Sequence, residues 1–111
     1  MISKTYTQFL GTLANENRIQ LLLALKKKPM NVSELMKETG MNQTTVSHNL
    51  KRLQLCGFVS VKQEGKFRNY SVNKETIKPL IELIEKHMKT HCIHIVEDNK
   101  VSSKYKTKRL S

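Results

Sequence analysis

Acidic residues are scarce in this sequence: 9 Asp and Glu stand against 20 Lys and Arg in 111 residues, a formal charge of +11. A surface so short of carboxylates suits a polyanionic partner; the plainer reading is a solvated basic surface. No apolar run approaches the roughly 20 residues that span a bilayer, so a membrane protein is not expected. The opening Met1-Ile2-Ser3-Lys4-Thr5-Tyr6 lacks the apolar core of a secretory signal. There are only two cysteines, Cys56 and Cys92, too few and too far apart for a disulfide framework, which fits a reducing cytoplasm. A Gly-rich phosphate loop, paired catalytic carboxylates and a nucleophile spaced from a base are all missing. Neither an enzyme nor a nucleotide cofactor is therefore expected.

What is present is helical periodicity. Hydrophobic residues make up 38%, enough for one modest core and hence one domain. A first helix, α1, is expected over about 6–14, with Phe9, Leu10 and Leu13 on one face. The Asn15-Glu16-Asn17 cluster breaks it and offers caps for α2, whose apolar side is Ile19, Leu22 and Leu23. This helix stops in Lys26-Lys27-Lys28-Pro29, where lysines meet exposed carbonyls and proline disfavours continuation. Asn31-Val32-Ser33-Glu34 reads as a capping box that starts α3, with Leu35 and Met36 apolar and Gly40 closing it. Asn42 can cap α4, over about 43–55, and helix, glycine turn, helix at this spacing is a helix-turn-helix.

The faces of α4 differ sharply. Val46, Leu50 and Leu53 form one narrow stripe, while Thr44, Thr45, Ser47, His48, Lys51 and Arg52 fall opposite. That outer face carries hydroxyls, an imidazole and cations but no carboxylate, as a surface that touches base edges and phosphates requires. Two β-rich segments follow, β1 over 57–62 and β2 over 67–72, joined through Gln63-Glu64-Gly65-Lys66. Lys62, Lys66 and Arg68 lie near the tip of this hairpin, suited to phosphates that flank a groove. A hairpin directly after a reading helix is the wing of a winged helix. A long helix, α5, is expected from about 74 to 96, striped by Ile77, Leu80, Ile81, Ile84, Met88 and Ile95; it could cover the core, pair with a second subunit, or do both. The domain thus covers 1–96, and 97–111 is expected to be a disordered basic tail with Lys100, Lys104, Lys106, Lys108 and Arg109.

The whole is a mostly α fold with one small β-hairpin, a winged helix-turn-helix in the order α1-α2-α3-α4-β1-β2-α5. Several stretches resemble the ArsR family of winged-helix transcriptional repressors. They are Leu13-Ala14-Asn15-Glu16-Asn17-Arg18-Ile19, Val32-Ser33-Glu34-Leu35, the run from Asn42 to Leu53, Cys56-Gly57-Phe58-Val59, and the run from Glu64 to Ser71. Together they cover about residues 10–73 in register. The resemblance implies a homodimer joined through α1 and α5, a palindromic operator in double-stranded DNA, and release on an intracellular signal, often a metal ion. It carries DNA contacts to Gln43, Thr44, Thr45, Ser47, His48 and Lys51, with Arg68 in the wing. Where family members often have Arg-His after the serine, this chain has His48-Asn49, which puts its base preference in question.

The sensing half is less complete. The family's thiolate site uses cysteines in α3, and 30–35 holds none. Its site in the last helix pairs an acid-x-His with a downstream His-x-x-His. His91-Cys92-Ile93-His94 supplies the second half, whereas Lys78-Pro79-Leu80 offers nothing for the first. His87, His91 and His94 remain as candidates for zinc or a similar divalent metal shared across a dimer seam, or as solvated imidazoles beside it. Cys56 and Cys92 are candidates for a thiol switch, although Cys56, at the end of a core-packed helix, is expected to be a buried, inert thiol. A winged-helix protein-interaction module is the rival function, against which the carboxylate-free face of α4 speaks.

Overall fold

The computed structural model describes residues 2–92, and its contacts divide the chain into a unit up to Ile77 and a second from Lys78 onward. In the first unit α1 spans Ile2–Leu13, starting earlier than its apolar pattern suggests. Its polar first turn is held locally, with the Thr7 hydroxyl donating to the Ser3 carbonyl at 2.8 Å. The Asn15 side chain accepts the Arg18 N–H and so starts α2, Glu16–Lys27. α2 ends at Lys28, which is extended at φ −170 as the residue before a proline must be. The lysine run does more than meet helix carbonyls: Lys27 Nζ lies 2.6 Å from Glu38 in the next helix. The hydrogen bond that Lys27 donates, and then its charge, hold the Glu38 carboxyl below its ordinary range. The pair is open to solvent, so it adds little stability.

α3 spans Val32–Thr39 behind a complete capping box: Asn31 accepts from the Glu34 N–H at 2.8 Å, and Glu34 returns the favour to the Asn31 N–H at 2.9 Å. Asn31→Ala is expected to cost about 1 kcal/mol, read as a Tm lowered by several degrees in a circular dichroism melt. Gly40 closes α3 at φ 78, and Asn42 caps α4, Gln43–Leu55, by accepting the Thr45 N–H at 2.8 Å.

α4 ends in a full Schellman turn. The Gly57 N–H reaches the Gln54 carbonyl at 3.1 Å and the Phe58 N–H reaches that of Leu53 at 2.9 Å. Gly57 takes φ 75 there, a left-handed conformation that a Cβ would strain. The expected start of β1 at 57 is thereby corrected: Gly57 and Phe58 belong to the helix closure, and β1 spans Val59–Glu64. It then runs on through Gln63 and Glu64, which shortens the turn to Gly65-Lys66. β2 spans Phe67–Val72, antiparallel, from Val59↔Val72 to Glu64↔Phe67. One link was not foreseen. Met30, just before α3, forms an antiparallel bridge with Tyr70, through N–H···O bonds of 3.0 and 2.8 Å.

The core gathers Leu21, Leu22, Leu25, Leu35, Val46, Leu50, Leu53 and Phe58, all essentially without exposure. The stripe foreseen on α4 is confirmed, but the one on α2 is not. Leu21, Leu22, Ala24 and Leu25 are buried, while Ile19 and Leu23 keep 39% and 37% of their surface exposed. Apolar residues surround this helix, so spacing cannot choose its inner face; packing against α3, α4 and β2 does.

α5 spans Ile77–His91, beginning three residues later than expected. The Asn73 carboxamide oxygen accepts the N–H groups of Glu75 and Thr76, which makes 74–76 a turn rather than helix. Pro79 sits in the first turn, where a missing N–H costs nothing. Leu83 and Met88 are exposed along the helix. Its expected extension to 96, Ile95 and the basic tail of 97–111 lie outside the described residues.

Candidate nucleic-acid interface

Burying Val46, Leu50 and Leu53 turns the other side of α4 to solvent. Gln43, Thr44, Ser47, His48 and Lys51 are exposed on it, and Thr45 is half-buried with its N–H committed to the Asn42 cap. Arg52 is exposed as well, but its guanidinium turns aside and donates to the Thr12 hydroxyl in α1 at 3.4 Å.

The wing cations divide by strand register. Arg68 shares a face of β2 with the buried Tyr70 and Val72, and its guanidinium lies 6.0 Å from the Tyr70 ring centre. Lys62 pairs with Asn69 and so belongs to the opposite face. An open groove of about 540 Å³ runs between the start of α3, the outer side of α4 and the wing. Ser47, Lys51 and Gln54 form one wall, Lys66, Phe67, Arg68 and Tyr70 the other, and Asn31, Val32 and Ser33 close the end. The groove therefore brings together Ser47, Lys51, Lys66 and Arg68 from the expected set and leaves out Gln43, Thr44, Thr45, His48, Arg52 and Lys62. Among the described residues no carboxylate lines it, so an anion meets attraction from both walls.

Sequence reasoning missed Gln54 and Tyr70 in this groove, and it assigned Asn49 to neither face of α4. That residue is 6% exposed, accepts the Arg18 guanidinium at 3.2 Å and donates to the Thr45 carbonyl at 2.8 Å. The departure His48-Asn49 thus changes one outward residue and one inward one. Asn49 was legible only as a polar residue three positions from Val46, on the edge of the buried stripe.

The rings of His87 and His91 are 4.8 Å between centres, and His94 lies outside the described residues. Among the described residues no three His, Cys, Asp or Glu side chains gather as a metal site would need. Cys56 and Cys92 are free thiols, Cys92 half-buried. The burial expected for Cys56 is overturned: it is the exposed C-cap of α4, with its Sγ 3.6 Å from the Thr12 hydroxyl. The stripe of 46, 50 and 53 has rotated past it by the time the Schellman turn begins.

Five helices among the described residues, a glycine-closed turn before the reading helix and a two-stranded wing define a winged helix-turn-helix DNA-binding protein. Residues 15–61 match the model of the bacterial regulatory proteins of the arsR family. The chain is 30% identical over 77 residues to the transcriptional activator HlyU of Vibrio cholerae, covering 69% of this chain and 71% of that protein. It is 32% identical over 79 residues to a probable mercury resistance operon repressor of Streptomyces lividans, 71% of this chain but 63% of that one. It thus spans just under two thirds of the Streptomyces protein. Among solved structures, a homodimeric winged helix-turn-helix DNA-binding domain of Mycobacterium bovis superposes with a TM-score of 0.76 at 30% identity, covering 84% of this chain and 86% of that one. The chain belongs to the ArsR family, whose members are DNA-binding transcriptional regulators and not enzymes.

Proposed function

We propose that the protein is a cytoplasmic homodimeric repressor whose two copies of α4 enter successive major grooves of a pseudo-palindromic operator, roughly one DNA turn apart. The observation that carries this reading is the groove in which Lys51 of α4 meets Lys66 and Arg68 of the wing, lined by no carboxylate among the described residues. Gln43, Thr44, Thr45, Ser47 and His48 present donors and acceptors to base edges, while Lys51, Lys62, Lys66 and Arg68 neutralise phosphates. Exposed Tyr6 and Leu10 on α1, and Leu83 and Met88 on α5, supply apolar surface for pairing with a second copy. Lys100, Lys104, Lys106, Lys108 and Arg109 of 97–111 add non-specific attraction to the duplex. Repression follows from occupying a promoter that polymerase needs.

Two substitutions separate base reading from phosphate binding. His48→Ala is expected to reduce discrimination between an operator selected from a randomised pool and a shuffled duplex, by the roughly 1–3 kcal/mol typical of one base contact. Lys66→Ala, which removes two cations from the dimer, is expected to weaken both duplexes alike and to flatten the salt slope by about two units. Fluorescence anisotropy on the two duplexes measures both. Equal weakening by His48→Ala would remove that residue from the base-reading set.

A further inference from the structure

A polar seam joins α4 to the last turn of α1, on the side of α4 turned away from the groove. Asn49, Arg52 and Cys56 stand three and four residues apart, hence on one flank of the helix, and all three reach the same place. Arg18, in the first turn of α2, spends its whole guanidinium there. Its Nε donates to the Thr12 carbonyl at 2.6 Å, one terminal nitrogen to Asn49 Oδ1 at 3.2 Å and the other to the Gly11 carbonyl at 3.3 Å. Thr12 is wholly buried; its hydroxyl donates to the Gln8 carbonyl at 2.9 Å, accepts from Arg52 and touches the Cys56 sulfur.

We infer that Arg18, Asn49 and Thr12 are positioning residues for DNA reading, which lock the rotation and height of α4 against the end of α1. The apolar stripe on α4 holds the helix down, but contacts among Val46, Leu50 and Leu53 are non-directional and tolerate small slides. Hydrogen bonds weaken steeply with angle, and a guanidinium offers its donors in a rigid planar fork. Two bonds of the fork fix it on the Gly11 and Thr12 carbonyls at the end of α1, and the third holds Asn49 of α4 to that anchor, a directional tie that the stripe alone does not give. Asn49 sits about 200° around the helix from Ser47, so any turn of the seam moves the outward residues by a similar arc. Because α1 also exposes Tyr6 and Leu10, whatever shifts α1 is passed to the reading helix through this joint.

The inference rests on α4 being the DNA reader, and the test separates the two. The probes are the duplex that the wild-type protein selects from a randomised pool and a shuffled duplex of equal length. Asn49→Ala and Arg18→Lys remove directional bonds without changing net charge. Each is expected to lower the affinity ratio between the two duplexes about tenfold, the scale of one mismatched base pair. Affinity for the shuffled duplex and the salt slope should stay at wild-type values. Working well below the melting temperature keeps lost stability out of both readings. Thr12→Val, nearly isosteric but without the hydroxyl, should lose part of the ratio, and Thr12→Ser should restore it; this pair serves even if the Arg18 variant folds poorly. Wild-type ratios in Asn49→Ala and Thr12→Val, or equal losses on both duplexes, overturn the positioning role alone. A wild-type protein that selects no sequence overturns the DNA reading and the positioning role with it.

Discussion

Raising salt from about 50 to 200 mM is expected to weaken duplex binding by about four orders of magnitude. The figure follows from the interface. Lys51, Lys62, Lys66 and Arg68 give four phosphate-directed cations per subunit and eight per dimer. Each contributes about −0.9 to the slope of log affinity against log salt, for a total near −7. Arg52 is left out because its guanidinium is engaged by Thr12. A titration by anisotropy over that salt range measures the slope directly. A slope near zero would mean that these cations face solvent rather than phosphate, and the groove would lose its assigned ligand. Removing Lys66 and Arg68 together should bring the slope to about −3 to −4.

Phe58→Ala is expected to destabilise the fold by about 3–5 kcal/mol, much of the 5–15 kcal/mol that holds a typical domain together. Phe58 is the largest of the fully buried side chains, and its ring centre lies 5.1 Å from that of Phe9 in α1. Its backbone N–H completes the Schellman turn and its carbonyl accepts the Asn73 N–H at 2.9 Å. The backbone bonds remain in the variant, so the loss is that of the buried ring and its packing against Phe9. Thermal melts at fixed protein concentration should show Tm falling by well over 10 °C. A loss near 1 kcal/mol would indicate a site able to collapse around the missing ring.

The parts of this fold that are local in the chain were legible in the sequence. Asn15, Asn31 with Glu34, Gly40 and Asn42 mark helix ends because each bonds to a group within four residues, and all four act as the pattern implies. The outer face of α4 was legible for the same reason, since its apolar stripe has a single phase. What escaped was non-local or ambiguous. Nothing near Arg18 announces that its guanidinium meets Asn49, 31 residues away. The inner face of α2 could not be chosen because Ile19, Leu23 and the buried leucines compete for it. Gly57 suited both a strand and a helix closure, and only the backbone bonds of Gln54 and Leu53 settle which.

The bridge between Met30 and Tyr70 makes the wing a part with a fixed root and a free end. Its base is spliced to the strand-like residue before α3, so it turns with the helix-turn-helix as a rigid bracket. Beyond that splice, from Gly65 to Phe67, no bond to the helices restrains the tip among the described residues. Changes in length or charge at the tip should therefore alter how far the wing reaches along the DNA without altering where it aims. Such a layout lets a lineage, or an engineer, exchange tips while keeping the reading helix in register.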